Sequence, residues 1–415
     1  MKPLEVVRDP LWSDIRLDPL ALAVIDTPAV QRLRYVRQLG HAFLVYPGAT
    51  HTRFEHALGA YHLACRALRQ LEDATERGAL DPAECLAFRL AAMLHDIGHY
   101  PFSHALEEAG LPNHETLAER HLATGDLAEV LAGAGVAIAD LVALIQGRSR
   151  APLARLVSGA VDVDKLDYLS RDALRCGVPY GVIDVDRLLA SLTLVAGPDG
   201  GRMLALHQNG VPALESLVFA KYQMYRSVYW HHAARSATTM FKRLVRQAIA
   251  GALLNVEDVA LATDDDLIHD LMRRDTTGLA HALRSRRLAK RALDLPAGEL
   301  PADAADWVAR DPALLERVED RMAREVGLQP NELFLDFPEK RETFALDLPL
   351  VQRDGRVVDH PGLPSVAADL MRTARRLRVF VMRPASVPAR AVATLVALPA
   401  EEVIGRLAAE RALLR

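Results

Sequence analysis

Apolar side chains recur at three- and four-residue spacing through roughly the first 250 positions, which predicts a run of amphipathic helices. Leu58, Tyr61, Leu63, Ala64 and Leu68 form one such stripe, and Leu86, Leu90, Met93 and Leu94 form another. Asp26-Thr27-Pro28 has the chemistry of a helix start, a capping side chain followed by proline in the first turn. Gly147 and Pro152 separate a further helix from the next, which carries Asp164. Before Leu22 the pattern differs: Ile15 and Leu17 alternate after Asp9-Pro10, as in a short hairpin or loop arm. Gly197-Pro198-Asp199-Gly200-Gly201 predicts a turn between Leu192/Leu194 and Met203/Leu204/Leu206, hence a second hairpin.

Beyond Leu295-Pro296-Ala297-Gly298 the period changes. Residues 333–337, 343–346 and 377–381 are rich in Leu, Phe and Val and predict strands among shorter helices. The chain therefore reads as mainly α. A helical domain covers 1–295, with an N-terminal arm at 1–22, and a small α+β subdomain covers 296–415.

Composition narrows the class. With 415 residues, half of them hydrophobic and a quarter charged, the chain can bury a substantial globular core. A net charge of −4 gives no global attraction to nucleic acid or anionic lipid. The basic run Arg284, Arg286, Arg287, Lys290, Arg291 reads as a solvated helix face, so nucleic acid is not the favoured partner. Three cysteines without a CxxC pair argue against a disulfide scaffold or a thiolate zinc site. The first residues lack a signal-peptide pattern and no apolar run would span a bilayer, so a soluble, cytoplasmic protein without a membrane partner is expected.

The chemistry concentrates in one stretch. Eight of the fifteen histidines fall between 51 and 121. His56 and the adjacent His95-Asp96, with an aspartate from 162, 164 or 167, make a mixed N/O donor set suited to a borderline or hard divalent ion. This balance admits Mn, Fe, Zn, Co, Ni or Mg and favours Mn, Fe or Zn. On a helix His95 and Asp96 would point about 100° apart and meet an ion only at its edge, with other helices supplying the remaining donors. His99 would lie one turn after His95, and a charged imidazole there would stabilise phosphate charge or pass a proton. There is no Walker A or GxGxxG stretch, so phosphates would be held by metal and side chains.

These motifs resemble the HD-domain metal phosphohydrolases, and within them the deoxynucleoside triphosphate triphosphohydrolases. The resemblance runs from about residue 5 to about 240. It takes in Ile25-Asp26-Thr27-Pro28, Gln31-Arg32-Leu33-Arg34-Tyr35, Gln38-Leu39-Gly40, His51 to Gly59, Leu94 to His104, His114-Glu115, Asp162-Val163-Asp164-Lys165 and Arg171-Asp172. It implies an HD-domain helical bundle with one divalent ion held by His56, His95, Asp96 and Asp164. It further implies that His99, His104, His114 and Glu115 are catalytic, with His114-Glu115 matching an acid/base pair. Arg53 and Lys165 would contact phosphates, Gln38 and Asp172 would hold the sugar, and Tyr168 would pack against it. For Asp172 the alternative is a salt bridge to Arg171 or Arg175. Asp26, Gln31 and Arg34 match a regulatory nucleotide pocket, although Glu5 stands where a basic residue belongs; the alternative is that they brace the first helix.

The implied reaction is hydrolysis of a dNTP to deoxynucleoside and triphosphate. Two alternatives stay open: a phosphatase or phosphodiesterase acting on a monophosphate, cyclic dinucleotide or alarmone, and a nucleotide sensor without catalysis. A homo-oligomer is expected from the resemblance and from the aromatic run Tyr222 to His232, read as a surface helix.

Overall fold

The computed structural model describes residues 5–74, 80–159, 161–197, 200–301, 304–338, 348–359, 369–370 and 372–415. Its strands are, in chain order, β1 (Glu5–Asp9), β2 (Ser13–Leu17), β3 (Leu192–Ala196), β4 (Arg202–His207), β5 (Lys290–Pro296), β6 (Leu333–Asp336), β7 (Leu350–Val351), β8 (Val357–Val358) and β9 (Arg376–Val381). The remainder is dominated by helices.

The N-terminal arm is the expected hairpin, with Glu5 opposite Leu17 and Asp9 opposite Ser13. Its alternation buries Ile15 and Leu17. A helix, Pro19–Ile25, follows at once, because the Asp18 carboxylate accepts the Ala21 amide and Pro19 opens the first turn. This helix is unexpected; the start expected at Asp26-Thr27-Pro28 opens a second helix, Pro28–Gln31, with Thr27 at its N-cap and Pro28 in its first turn. That second helix is short, and the Thr27 hydroxyl does not cap it but donates to the Val24 carbonyl.

Three helices position the site. Arg53–Ala74 buries Phe54, Ala57, Leu58, Tyr61, Ala64, Leu68 and Leu71, the stripe the sequence predicts, and packs on Pro82–Leu94 and on Val163–Cys176. Gly59 is required at this crossing: a Cβ there would sit 1.8 Å from Asp167 Oδ1 and 2.5 Å from Arg171 Nη2. Pro82–Leu94 ends at its C-cap residue His95, so His95 and Asp96 are not two adjacent positions within a helix. They occupy the turn just past its end, where the backbone is free to aim both side chains at the crossing.

The hairpin around 197–201 forms as expected. β3 and β4 pair antiparallel, β4 then takes β7 in parallel, and β7 pairs with β8. The C-terminal sheet has the order β5-β9-β6, all antiparallel, and so confirms strands at 333–336 and 376–381. The strand expected at 343–346 lies outside the described residues. β5 straddles the expected boundary at 295/296. Phe334 of β6 and Phe380 of β9 pack with Phe241 and Leu244 of the His232–Ala250 helix, so the sheet is joined to the helical half through a shared core. Among the described residues no single helix is long and apolar enough to cross a membrane.

Candidate metal centre and catalytic cavity

The four expected metal donors come together at the helix crossing. His56 Nε2 lies 3.3 Å from His95 Nε2, 3.6 Å from Asp96 Oδ2 and 3.0 Å from Asp164 Oδ1. His95 Nε2 lies 3.4 Å from both Asp96 Oδ1 and Asp164 Oδ1. Two donors each bound to one ion at right angles would stand about 3.0 Å apart. The spacing and the two-imidazole, two-carboxylate chemistry therefore fit a single divalent cation. Asp162 and Asp167, the other candidates by composition, have different partners. Asp162 caps the Val163–Cys176 helix by accepting the Lys165 amide at 2.8 Å.

Asp167 works behind the donors. Its Oδ2 is 2.7 Å from His56 Nδ1, and it accepts Arg171 Nε and Nη2 at 2.9 Å each. Arg171 Nη1 continues to Asp9 Oδ2 at 2.8 Å, and Trp12 Nε1 donates to Asp167. Such a carboxylate fixes the imidazole's tautomer and orientation. It also explains why the N-terminal hairpin docks here, since Asp9 and Trp12 belong to its strand and turn. His95 Nδ1 is held by the Ala92 carbonyl at 2.9 Å.

The electrostatics are those of a cation site. Burial pulls the His56 imidazole down, but hydrogen bonds to Asp164 and Asp167 outweigh it and push it up to about 10. His95 moves up too, burial being outweighed by Asp96 and Asp164. Burial raises Asp96 and Asp164 as well, but Arg53 with His95, and His56 with His95 respectively, hold them well below the usual carboxylate range. A divalent ion here must displace the imidazole protons, so uptake releases protons.

The second group of histidines sits beside the donors. His99 Nε2 is 3.1 Å from Asp96 Oδ1, and the His99 ring stacks on His114 at 3.7 Å and 16°. The His104 ring meets His99 edge-on at 4.7 Å. His99 does not share a helical face with His95, because the helix has ended; it reaches Asp96 from the turn that follows. Nor is it charged. Burial, then Arg53 and His114, drive its imidazole well below the ordinary value, so it is neutral at pH 7.

Glu107, which the sequence pattern alone does not single out, joins this group: its carboxylate holds His114 Nδ1 at 2.6 Å and His104 Nδ1 at 3.2 Å. Burial raises that carboxyl, but the two imidazoles hold it far below its normal range. The carboxylate partner of His114 is thus Glu107 and not the adjacent Glu115, which lines the same cavity from the start of the His114–Ala123 helix. A local signal for it exists: Glu107 lies three residues after His104.

One cavity of about 670 Å³ is lined by His95, Asp96, Asp164, His99, His104, His114 and Glu115, together with the expected substrate residues Gln38, Arg53, Lys165, Tyr168 and Asp172. Arg53 donates to Asp96 and Ser103, and its Nε is buried without a partner among the described residues. Gln38 Oε1 is buried and unpartnered in the same way. Lys165 Nζ rests on Asp162 and, at 3.0 Å, on the Gly159 carbonyl. Burial pulls the Lys165 ammonium down, but Asp162 and Asp164 outweigh it and keep it charged. Asp172 pairs with neither Arg171 nor Arg175; it holds His51 Nε2 and the Tyr229 hydroxyl, each at 2.7 Å.

The far wall comes from the segment expected to be a surface helix. It faces inward instead. Tyr222, Met224 and Val228 are buried, and Tyr225, Tyr229 and Trp230 line the cavity. The backbone there takes a π-helical turn, Tyr225–Tyr229, of a kind that is frequent at functional sites. Its aromatic richness is thus satisfied within the chain and carries no argument for assembly.

Asp26, Gln31 and Arg34 lie outside this cavity. Gln31 Nε2 donates to the Ile25 carbonyl at 2.9 Å, Arg34 Nε donates to Gln31 Oε1 at 2.7 Å, and the Arg34 guanidinium lies 3.6 Å over the Phe54 ring.

Comparison with known proteins places this geometry in a family. Residues 53–172 match the HD domain and residues 183–381 match the HD associated region. An uncharacterized protein of Methanocaldococcus jannaschii is 33% identical over 80% of this chain and 69% of its own length. The deoxynucleoside triphosphate triphosphohydrolase SAMHD1 of Gallus gallus is 26% identical over 74% of this chain and 59% of its own, and that of Homo sapiens 24% over 83% and 62%. The chain thus spans about three fifths of the length of these triphosphohydrolases. A crystal structure of a hypothetical protein from Aquifex aeolicus shares 27% identity with a TM-score of 0.71, covering 92% of this chain and 97% of its own. The fold is shared by a phosphohydrolase from Bacteroides thetaiotaomicron, with a TM-score of 0.72 at 22% identity, covering 92% of this chain and 100% of its own. The chain belongs to the HD-domain phosphohydrolases, in their deoxynucleoside triphosphate triphosphohydrolase-like branch.

Proposed function

We propose that this protein hydrolyses a deoxynucleoside triphosphate at the α-phosphate, releasing a deoxynucleoside and inorganic triphosphate. The observation that carries this reading is one cavity lined by three of the four candidate donors, His95, Asp96 and Asp164, by the cations Arg53, Lys165, Lys221 and Arg235, and by a polar and aromatic wall, at a volume suited to a nucleotide. Relatives named for this activity support it.

His56, His95, Asp96 and Asp164 would hold the ion. When bound, it supplies a Lewis acid for a phosphoryl oxygen and lowers the pKa of a nucleophilic water toward about 7. The rest is done by the chain. Arg53, braced by Asp96 and Ser103, presents its free Nε to a phosphate oxygen. Lys165 meets the phosphate chain as a point charge.

Attack of water on the α-phosphorus breaks the bond to the 5′-oxygen, which needs a proton. His104 is the donor in reach of the cavity: Glu107 holds its Nδ1, so Nε2 is the nitrogen that passes the proton. His99 and His114, stacked on each other, with His99 beside Asp96 and His114 held by Glu107, act as hydrogen-bond donors to the phosphoryl oxygens. Gln38 reads the sugar, Tyr168 forms its floor, and Asp172 acts on it by orienting the Tyr229 hydroxyl. Glu115 stands at the cavity wall as a further acid/base group.

Purified protein with Mn²⁺ should be assayed against the four dNTPs, a nucleoside monophosphate and a cyclic dinucleotide, with products resolved. Inorganic triphosphate from a dNTP is the expected outcome. Orthophosphate from the monophosphate, with dNTPs untouched, would overturn the proposal in favour of a phosphatase.

A further inference from the structure

The two imidazoles of the candidate metal centre are held from behind in different ways. His95 Nδ1 rests on the Ala92 carbonyl, a group that its own helix fixes. His56 Nδ1 rests on Asp167 Oδ2, a side chain whose aim depends on what else holds it. Asp167 receives four donors. Oδ2 accepts Arg171 Nε besides His56, and Oδ1 accepts Arg171 Nη2 and the Trp12 indole N–H. Two carboxylate oxygens offer about four acceptor sites, so the full set of donors leaves Asp167 one orientation.

The N-terminal hairpin supplies two of these holds. Trp12 reaches Asp167 directly, and Asp9 acts through Arg171. Asp9 Oδ2 takes Arg171 Nη1 at 2.8 Å, while Oδ1 takes the backbone amides of Leu11 and Trp12 at 2.9 and 2.8 Å. One carboxylate thus shapes the turn that aims the indole and braces the guanidinium that grips Asp167. Asp9 is 4% exposed, and Asp167 and Arg171 are fully buried. Docking alone does not call for buried charge: Ile15 and Leu17 already bury their side chains, and a buried ion pair stabilises little beyond what apolar packing would. Behind a metal donor, however, a carboxylate and its own partners tune how well the imidazole binds.

We propose that Asp9 and Trp12 are positioning residues of the metal centre: the hairpin sets the aim of His56 through Arg171 and Asp167, and ion binding in return tightens the hairpin. Coupling between two sites is reciprocal, so the factor that the docked hairpin adds to ion affinity is the factor that the ion adds to hairpin docking. The inference rests on the four-donor centre and not on the substrate proposed for it.

Mn²⁺ affinity, measured by competition with a chelating indicator, tests it on wild type, Trp12→Phe and Asp9→Asn. Trp12→Phe keeps an aromatic ring beside His62, on which Trp12 stacks at 6.1 Å, and removes the N–H donor. Asp9→Asn keeps an oxygen for the two turn amides and takes away the charge that faces Arg171. Each should weaken Mn²⁺ binding about tenfold or more, with the melting temperature of metal-free Trp12→Phe close to wild type. A purely structural role would lower that temperature and leave the affinity unchanged. If Asp9→Asn fails to fold, Trp12→Phe decides the matter. Hydrogen exchange reads the other direction: backbone amides of residues 5–17 should exchange more slowly in wild type when Mn²⁺ is added, and at an unchanged rate in His95→Ala. Affinity within about twofold of wild type in either folded variant, or hairpin exchange indifferent to Mn²⁺ in wild type, would overturn the proposal alone. A wild type that binds no Mn²⁺ would overturn the centre with it.

Discussion

At the candidate metal centre Asp96, Asp164 and Asp167 surround His56 and His95, and both imidazoles are pushed up. A few residues along the chain His99 has one carboxylate at 3.1 Å and a second only at 3.9 Å, lies near Arg53 and stacks on another imidazole; it is driven down and neutral. The same side chain thus serves two purposes. Where carboxylates outnumber other charges, imidazole protons mark the place of a cation. Where arginine and histidine crowd in, the proposed role of the ring is to donate or relay, and the Glu107 carboxylate holds both His104 and His114. On the reading proposed above, the environment separates candidate metal ligands from candidate acid/base groups, a division that composition alone does not show.

Substitutions on either side should separate the two halves. The largest effect is expected from His95→Ala: loss of the ion and of activity to background, with the melting transition retained, because the helices rest on apolar packing. Glu107→Gln should come next, reducing kcat by about a hundredfold or more while metal content is unchanged, since only the acid/base half is disturbed. Lys165→Ala should lower kcat/KM for the dNTP by about ten- to a hundredfold, again with the metal kept.

The smallest effect concerns pH. His56 in the metal-free chain keeps its proton up to about pH 10, above its ordinary value near 6.5. Metal uptake must therefore release that proton throughout the neutral range. Affinity should rise up to about tenfold per pH unit per proton between about pH 6.5 and 8.5. The sign is fixed, because the metal-free form binds more protons than the loaded one. An affinity that falls or stays level over that interval would show that the imidazoles are neutral before the ion arrives.

The donor set and the helices under it were legible because their signals are local. The stripe Leu58, Tyr61, Ala64, Leu68 is a period in the chain, and His56, His95, Asp96 and Asp164 each sit in a recognisable motif. What escaped depends on contacts far apart in sequence. Trp12 reaches Asp167, and Asp9 reaches the Arg171 that holds it, each across more than 150 residues. Tyr229 meets Asp172 from a segment whose aromatic character reads equally well as an exposed interface. His95 and Asp96 lie beyond their helix because it ends at Leu94, a boundary that periodicity marks poorly.

The measurement that bears most directly on this division of labour is elemental analysis of His95→Ala and Glu107→Gln, prepared and dialysed side by side with wild type. We expect about one divalent ion per chain in wild type and in Glu107→Gln, and none in His95→Ala. Metal retained in His95→Ala, or lost in Glu107→Gln, would contradict the division.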